Sequence, residues 1–309
     1  MPRVLDLLLR GVLAEIEPTS TQKDGAQRSH RYLRDLMNTG QMANRIQSSY
    51  LSGSYARDTA IRPLDDVDII FEIDQSHWSS GFFPFNSMPR PDAVLESFAA
   101  AVRRRYAGSS VYIQRRSIRL ELYHLNIDVV PAIPNRDDRS LINIPDRDAD
   151  EWIRSSPQRH SENATRVNKR CEGRFKPLVK LLKFWNSNLP DSIRCKSFLI
   201  ETIAVRLFGE VSFFSMEGGL LLFWDFLASR YSESPVYNWR SGFGMSFGLF
   251  GVSVPDAVGT GSNTAARLDN TRAKGLAAKA RISRDRLLTA QNSRADAARA
   301  KATLSALRA

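Results

Sequence analysis

Two aspartates two positions apart, Asp66 and Asp68, stand in the stretch GSYARDTAIRPLDDVDIIFEI (residues 53–73), where Val, Ile and Phe take over from polar residues. A third, Asp128, interrupts the apolar run LNIDVVPAI (residues 125–133). Side chains alternate along a strand, so Asp66 and Asp68 share one face while Val67 and Ile69 take the other. If the two strands are neighbours, three carboxylates meet at one edge, where unpaired they repel and raise one another's pKa. A hard divalent cation relieves this, and Mg²⁺ binds through a few carboxylate oxygens plus substrate phosphates. Gly53-Ser54 supplies a tight turn whose amides and hydroxyl suit phosphate oxygens. Together these point to phosphoryl or nucleotidyl transfer. Each residue taken singly also has a plain structural reading. Asp65-Asp66 after Pro63-Leu64 reads as a turn entering a strand, and Asp128 as an exposed residue on an edge.

The elements that must position these groups follow from periodicity. Leu5 to Ile16 patterns as a helix ended by Glu17-Pro18-Thr19-Ser20, and Gln22 to Met37 as a second helix. Val67 to Ile73 alternates as a strand. Val111 to Gln114 and Ile118 to Leu122 form an expected hairpin around Arg115-Arg116-Ser117. Leu125 to Val130 is a further strand, stopped by Pro131 and Pro134. The polar passage from Asn135 to Ser161 reads as a long surface loop with one short helix around Trp152. Helical periodicity then takes over. Pro177 suits a first helical turn, and Leu178, Leu181, Leu182 and Trp185 make an apolar stripe beyond it. Phe198 to Phe208 and Leu220 to Leu227 are further helices. A strand-rich half precedes a helical half, so the expected architecture is a two-lobed α/β fold with a cleft between the lobes. The expected division is 1–170 for the strand-bearing lobe with the N-terminal helices and 171–309 for the helical lobe.

The chain has 309 residues and a formal charge of +11. Residues 267–309 hold eleven Lys/Arg against three Asp/Glu, a net of +8, which leaves +3 for everything before them. The basicity therefore belongs mostly to the tail and says little about the main body's surface. The tail contains no Phe, Trp or Tyr, and reads either as a helix docked on its lobe or as partly disordered chain. Leu276, Leu287 and Leu288 are spaced to share one helical face, and the pattern thins beyond Thr289, so the end is expected to be held weakly. The most apolar stretch, Gly218 to Ala228, is too short to span a bilayer and carries Asp225. The first seventeen residues read as an amphipathic helix rather than a signal peptide. Cys171 and Cys195 have neither metal-ligand spacing nor a disulfide framework, which suits a reducing cytoplasm. His30, His124 and His160 have no partners at ligand spacing.

Gly53-Ser54, then Asp66-Val67-Asp68 opening a strand, then Asp128 on a later strand, resembles the polymerase-beta-type nucleotidyltransferase signature. NIDVVPAIP, KPLVKLLKFWN and KSFLIETIA, in that order, are similar to the cyclic-oligonucleotide synthases of bacterial antiphage signalling, a group related to animal cyclic GMP-AMP synthase and oligoadenylate synthase. The N-terminal IEPTSTQKDGAQRSHRYLRDLM and the central IPDRDADEWIRSSPQRH resemble the same group, and the likeness covers roughly residues 5 to 230.

The resemblance implies a two-lobed fold with a mixed central sheet and a helical C-terminal lobe. It also implies condensation of ribonucleoside triphosphates, ATP among them, into a cyclic di- or trinucleotide messenger of antiviral signalling. Asp66 and Asp68 would hold two Mg²⁺ ions (or Mn²⁺), and Asp128 would bind the metal that activates the attacking hydroxyl or accept its proton. Ser54 and the Gly53 backbone would hold the donor triphosphate. Lys183 would contact the same triphosphate, with Lys180 second. Ser197 would join them, and Phe198 would stack on a base. The plain readings are a solvated helix face for the lysines, a helix N-cap for Ser197 and core packing for Phe198. Expected partners are nucleoside triphosphates and regulatory or effector proteins, with neither membrane nor nucleic acid required. Two rivals use the same residues. One is a transferase acting on RNA ends or a small acceptor. The other is a nucleic-acid binder with a basic tail and a decayed active site.

Overall fold

Alternating apolar residues between 46 and 134 build the sheet on which the aspartates stand. The computed structural model describes residues 4–78, 88–230, 246–248, 251–293 and 295–308. Its elements are α1 (Val4–Ile16), α2 (Ser20–Thr39), β1 (Ile46–Ser52), the single turn α3 (Gly53–Ala56), β2 (Asp66–Ile73), α4 (Pro91–Arg105), β3 (Ser110–Ile113), β4 (Ile118–Glu121), β5 (Asn126–Pro134), β6 (Ile142–Asp146) and β7 (Glu151–Ser155). They continue with α5 (Pro157–Arg170), α6 (Phe175–Ser187), α7 (Ser197–Glu210), α8 (Met216–Arg230), β8 (Ser246–Gly248), β9 (Gly251–Ser253), α9 (Asn270–Asn292) and α10 (Asp296–Leu307). The chain divides into two compact units, Pro18–Ser161 and Met1–Glu17 with Glu162–Ala309.

In the first unit the strands lie in the order β1-β2-β5-β4-β3, with β6 and β7 continuing from the far end of β5. Among the described strands of this unit only β2 and β5 run parallel; the other pairs are antiparallel. On β2 the odd residues Val67, Ile69, Phe71 and Ile73 are fully buried, in one core with Leu33 and Met37 of α2 and Val94, Leu95, Phe98 and Val102 of α4. The even residues Asp66, Asp68, Ile70 and Glu72 therefore belong to the opposite face. There Ile70 packs with Ala132 and Ile142, leaving the first turn of β2 for the two aspartates. Helix α2 begins as a capping box: the Thr19 hydroxyl accepts from the Gln22 amide at 3.1 Å and the Gln22 side chain accepts from the Thr19 amide at 3.0 Å.

Two expectations change here. Strand β5 does not stop at Pro131; it runs through it to Pro134. Residue 131 is paired with Phe71 of β2, but β4 ends its pairing at Val129 and β6 begins at Ile133. A residue without an N–H thus falls where one flank has no ladder to break. The polar passage 135–161 is not a long loop with a helix at Trp152. It contains the hairpin β6–β7, and Trp152 lies on β7 with its indole N–H donating to the Pro89 carbonyl at 2.7 Å. Asp146, 1 % exposed, anchors β6 by accepting from Arg115 Nε at 2.6 Å and from Arg116 Nη2 at 2.9 Å.

The second unit is helical. The stripe Leu178, Leu181, Leu182 and Trp185 of α6 is fully buried. Leu5, Leu9, Val12 and Ile16 of α1 are buried too, and α1 packs with α6, α8 and α10. That burial is why α1 joins this unit instead of the strands with which residues 1–170 had grouped it. Residues 162–170 of α5 join it as well, burying Ala164 and Val167. The basic tail forms α9 and α10. Leu276 and Leu287 are buried, but Leu288 is 39 % exposed, so it lies off the packed face it was expected to share. The far end is not loosely held: Thr303, Ala306 and Leu307 are completely buried, and Arg286 donates to the Ser305 carbonyl at 2.8 Å. Both cysteines are free thiols. No helix among the described residues is long and apolar enough to cross a membrane.

Candidate active site

The sheet register brings the sequence's chemical residues into one row. Ser52 of β1 is opposite Asp68 of β2, Asp68 is paired with Asp128 of β5, and Asp128 is opposite Arg119 of β4. Asp66 is paired with Asn126, whose amide donates to its Oδ1 at 3.3 Å. The row exists because β2 and β5 are parallel neighbours, so residues that open both strands end at the same level of the sheet. The three aspartates expected to converge do lie on adjacent strands.

Gly53 is shaped to the row. Its φ is +70°, a left-handed conformation that favours glycine, and a Cβ there would overlap the Asp68 carboxylate. The turn after β1 thus lies directly against Asp68, with Ser54 next in the chain and half-buried. Arg57 follows, 7 % exposed, and its charge acts on Asp68. Burial is the largest influence on Asp68, followed by the negative charge of Asp128. Arg57 opposes them, Asp66 adds to them, and the carboxyl is pushed up to about 6.

Arg119 is the residue that motif reading missed. It forks Asp128, with Nε donating to Oδ1 at 3.0 Å and Nη2 to Oδ2 at 2.7 Å, and the same Nη2 is 3.2 Å from Asp66 Oδ1. The hydrogen bond to Asp128 heads the influences that hold its guanidinium protonated well above the ordinary range. In the sequence it is one of three polar residues in SIRLEL; its importance appears once β4 is seen beside β5.

The three aspartates have the donor chemistry of a metal site. Their donors are hard carboxylate oxygens and Asp68 sits among like charges, both of which suit a small divalent cation. Among the described residues no three His, Cys, Asp or Glu side chains converge on one point; Arg119 occupies the position between Asp66 and Asp128. Asp68 fits such an ion as it stands, Asp66 fits one once the single Arg119 contact gives way, and Asp128 would lend its oxygens from within the fork.

The lysines have a different setting. Lys183 and Lys180 of α6 are 4 % and 6 % exposed, so neither lies on a solvated face. Lys183 Nζ is 2.9 Å from Glu201 of α7, which is itself 3 % exposed, and Lys180 Nζ is 2.6 Å from Glu17. Ser197 opens α7 and is exposed; the cap of that helix is Lys196, with no side-chain capping bond. Phe198 is 38 % exposed rather than a core residue. His124 bonds to the Ser29 hydroxyl at 3.0 Å, and burial leads the causes that lower the pKa of His30.

The helices and mixed seven-stranded sheet make up the fold of the polymerase-beta-type nucleotidyltransferases. Similarity to solved structures covers nearly the whole chain. The Escherichia coli MS115-1 protein CdnC, solved with ATP, superposes with a TM-score of 0.75 at 19 % identity over 98 % of each chain. The same protein, in its complex with HORMA-deltaN, gives 0.75 at 18 % identity over 97 % of this chain and 96 % of that one. A model of the Second Messenger Oligonucleotide or Dinucleotide Synthetase domain matches residues 7–168, and the chain belongs to that family. Among curated relatives, a cyclic AMP-AMP-AMP synthase of Acinetobacter sp. (strain ATCC 27244 / 9458) is 33 % identical over 205 residues, which cover 63 % of this chain and 56 % of that enzyme. The chain thus spans little more than half the length of that relative.

Proposed function

We propose that this protein joins ribonucleoside triphosphates, ATP among them, into a cyclic di- or trinucleotide messenger of antiviral signalling, with release of pyrophosphate. The observation that carries the reading is the row Ser52–Asp68–Asp128–Arg119 with Gly53 held against Asp68. In each joining step a ribose hydroxyl oxygen attacks the α-phosphorus of a second triphosphate. A new O–P bond forms, the bond to the β-phosphate oxygen breaks with its electrons leaving on pyrophosphate, and the hydroxyl proton passes to Asp128. Ring closure repeats the step within the linear product.

Asp66 and Asp68, with Asp128, would hold Mg²⁺ or Mn²⁺, two ions in all. When bound, such ions supply acidification of the attacking hydroxyl and neutralisation of charge on the triphosphate and the departing pyrophosphate. Arg119 keeps Asp128 aimed through its two hydrogen bonds. Gly53 and Ser54 are the phosphate contacts proposed in the sheet unit. In the helical unit the proposed contacts are Lys183, Lys180 and Ser197, with Phe198 stacking on a base. Support for the two lysines is that carboxylate partners, buried Glu201 and half-buried Glu17, hold both ammonium groups in fixed places. The setting is a reducing cytoplasm, consistent with free thiols at Cys171 and Cys195. A regulatory protein partner is part of the proposal, supported by the complex of CdnC with HORMA-deltaN.

The test is incubation of the protein with the four ribonucleoside triphosphates and Mg²⁺ or Mn²⁺, followed by phosphatase and mass spectrometry. Phosphatase-resistant cyclic products are expected. Products extended on added RNA, with no cyclic species, would replace this reading with that of an RNA-end transferase.

A further inference from the structure

Arg119 is asked to do two jobs that differ in strength. Its fork on Asp128 is bidentate, at 3.0 and 2.7 Å, onto a carboxylate only 12 % exposed. Its remaining contact, at 3.2 Å, goes to an Asp66 side chain that is 48 % exposed. Buried bidentate charge pairs are costly to break, whereas single contacts to half-exposed carboxylates contribute little. The two limbs should therefore separate when another cation arrives: the fork stays and the Asp66 limb lets go. Without Arg119, Arg57 would remain as a cation acting on Asp68.

We propose that Arg119 is a positioning residue with a second role as the site's own counter-cation, bridging Asp66 to Asp128 until a divalent cation displaces it from Asp66. This rests on the metal-binding reading of the carboxylates given above. The guanidinium is thus a competitor for the metal place on Asp66 and a fixed support for Asp128. Metal binding becomes an exchange of one cation for another, so the carboxylates need not be left unpaired in the metal-free protein. Such an exchange spares the metal-free protein the repulsion that the carboxylates would otherwise impose, at the cost of weaker metal affinity.

The experiment uses nucleotide-free full-length protein and Mn²⁺ as the probe, with free Mn²⁺ read by electron paramagnetic resonance. Arg119→Gln should bind Mn²⁺ roughly tenfold more tightly than wild type, the size expected when one charged hydrogen-bonding competitor is removed. Its metal-free melting temperature should fall, and saturating Mn²⁺ should narrow the gap. Arg119→Lys keeps the competing charge and loses the fork, so its affinity should stay within about threefold of wild type. A second measurement needs no variant to fold: the guanidinium ¹⁵N resonances of Arg119 in wild type should shift as Mg²⁺ is added. Equal Mn²⁺ affinity in wild type and Arg119→Gln, with Asp68→Asn abolishing binding, would overturn the counter-cation role while leaving the carboxylate site standing. Arginine resonances unmoved at saturating Mg²⁺ would overturn it in the same way. Asp68→Asn binding Mn²⁺ as wild type does would overturn both this inference and the metal reading beneath it.

Discussion

Asp68 is held where its charge is unwelcome, and that has a sign. Its carboxyl is raised to about 6 in the fold, first by burial and then by Asp128, while an unfolded chain has the ordinary aspartate value near 3.8. Between those values the folded state binds the extra proton, so this group's contribution to stability falls as pH rises through about 4 to 6. Asp68→Asn removes that penalty. In metal-free protein the variant should melt above wild type at pH 7, by about 1–2 kcal/mol of stability, and the difference should vanish near pH 4. Thermal melts at pH 4, 5, 6 and 7 check this; a constant difference would mean the carboxyl is not perturbed.

Lys183 and Glu201 give the opposite case, a buried pair whose halves need each other. Removing Glu201 leaves a lysine charge that is 4 % exposed without that partner, so Glu201→Ala should cost about 3 kcal/mol. The double variant Lys183→Met/Glu201→Leu should recover most of it. Urea unfolding of the four proteins measures the coupling, and strictly additive effects would show that the pair does not act as a unit.

At the scale of elements, the tail helices offer the sharpest contrast. Leu287 is completely buried and Leu288 is 39 % exposed, though they are neighbours on α9. Leu287→Ala should cost about 3 kcal/mol and Leu288→Ala less than about 0.5 kcal/mol. Equal losses would place α9 in a different rotation. On α10, Leu307 is as buried as Leu287, so removing residues 291–309 should lower the melting temperature by several degrees or more. A truncated protein that melts as wild type would show that α10 does not pack. Hairpin β6–β7 depends on Asp146 in the same way: it is 1 % exposed and forked by Arg115 and Arg116. Asp146→Ala should therefore destabilise the sheet unit by about 2–4 kcal/mol, measured by denaturant unfolding.

For the whole molecule, what could be read beforehand was whatever is local. Helix α2 announced itself through Thr19 and Gln22, β2 through its alternation, and α6 through the Leu178–Trp185 stripe, because caps and periodicities act within a few residues. The carboxylate motif was legible for a related reason: two aspartates two positions apart on an apolar strand need an explanation in any fold. What stayed hidden depends on partners far away in the chain. Hairpin β6–β7 reads as a polar loop until Arg115 and Arg116 are found on Asp146. Lys183 reads as a solvated lysine until α7 brings Glu201 to it. Arg119 looks like the outward residue of an ordinary strand until β4 lies against β5. Leu307 looks like a weak end to an alanine-rich tail, because small residues conceal close packing from any hydrophobicity pattern.

The activity proposed for this chain is nucleotide joining at Asp66, Asp68 and Asp128. The most direct measurement is pyrophosphate release from ribonucleoside triphosphates and Mg²⁺, by wild type and Asp68→Asn at equal concentration, with melting curves run on both. Wild type should release pyrophosphate together with a cyclic product, and the folded variant should fall to the background of a protein-free control. A folded Asp68→Asn protein releasing pyrophosphate at the wild-type rate would contradict the assignment of the site.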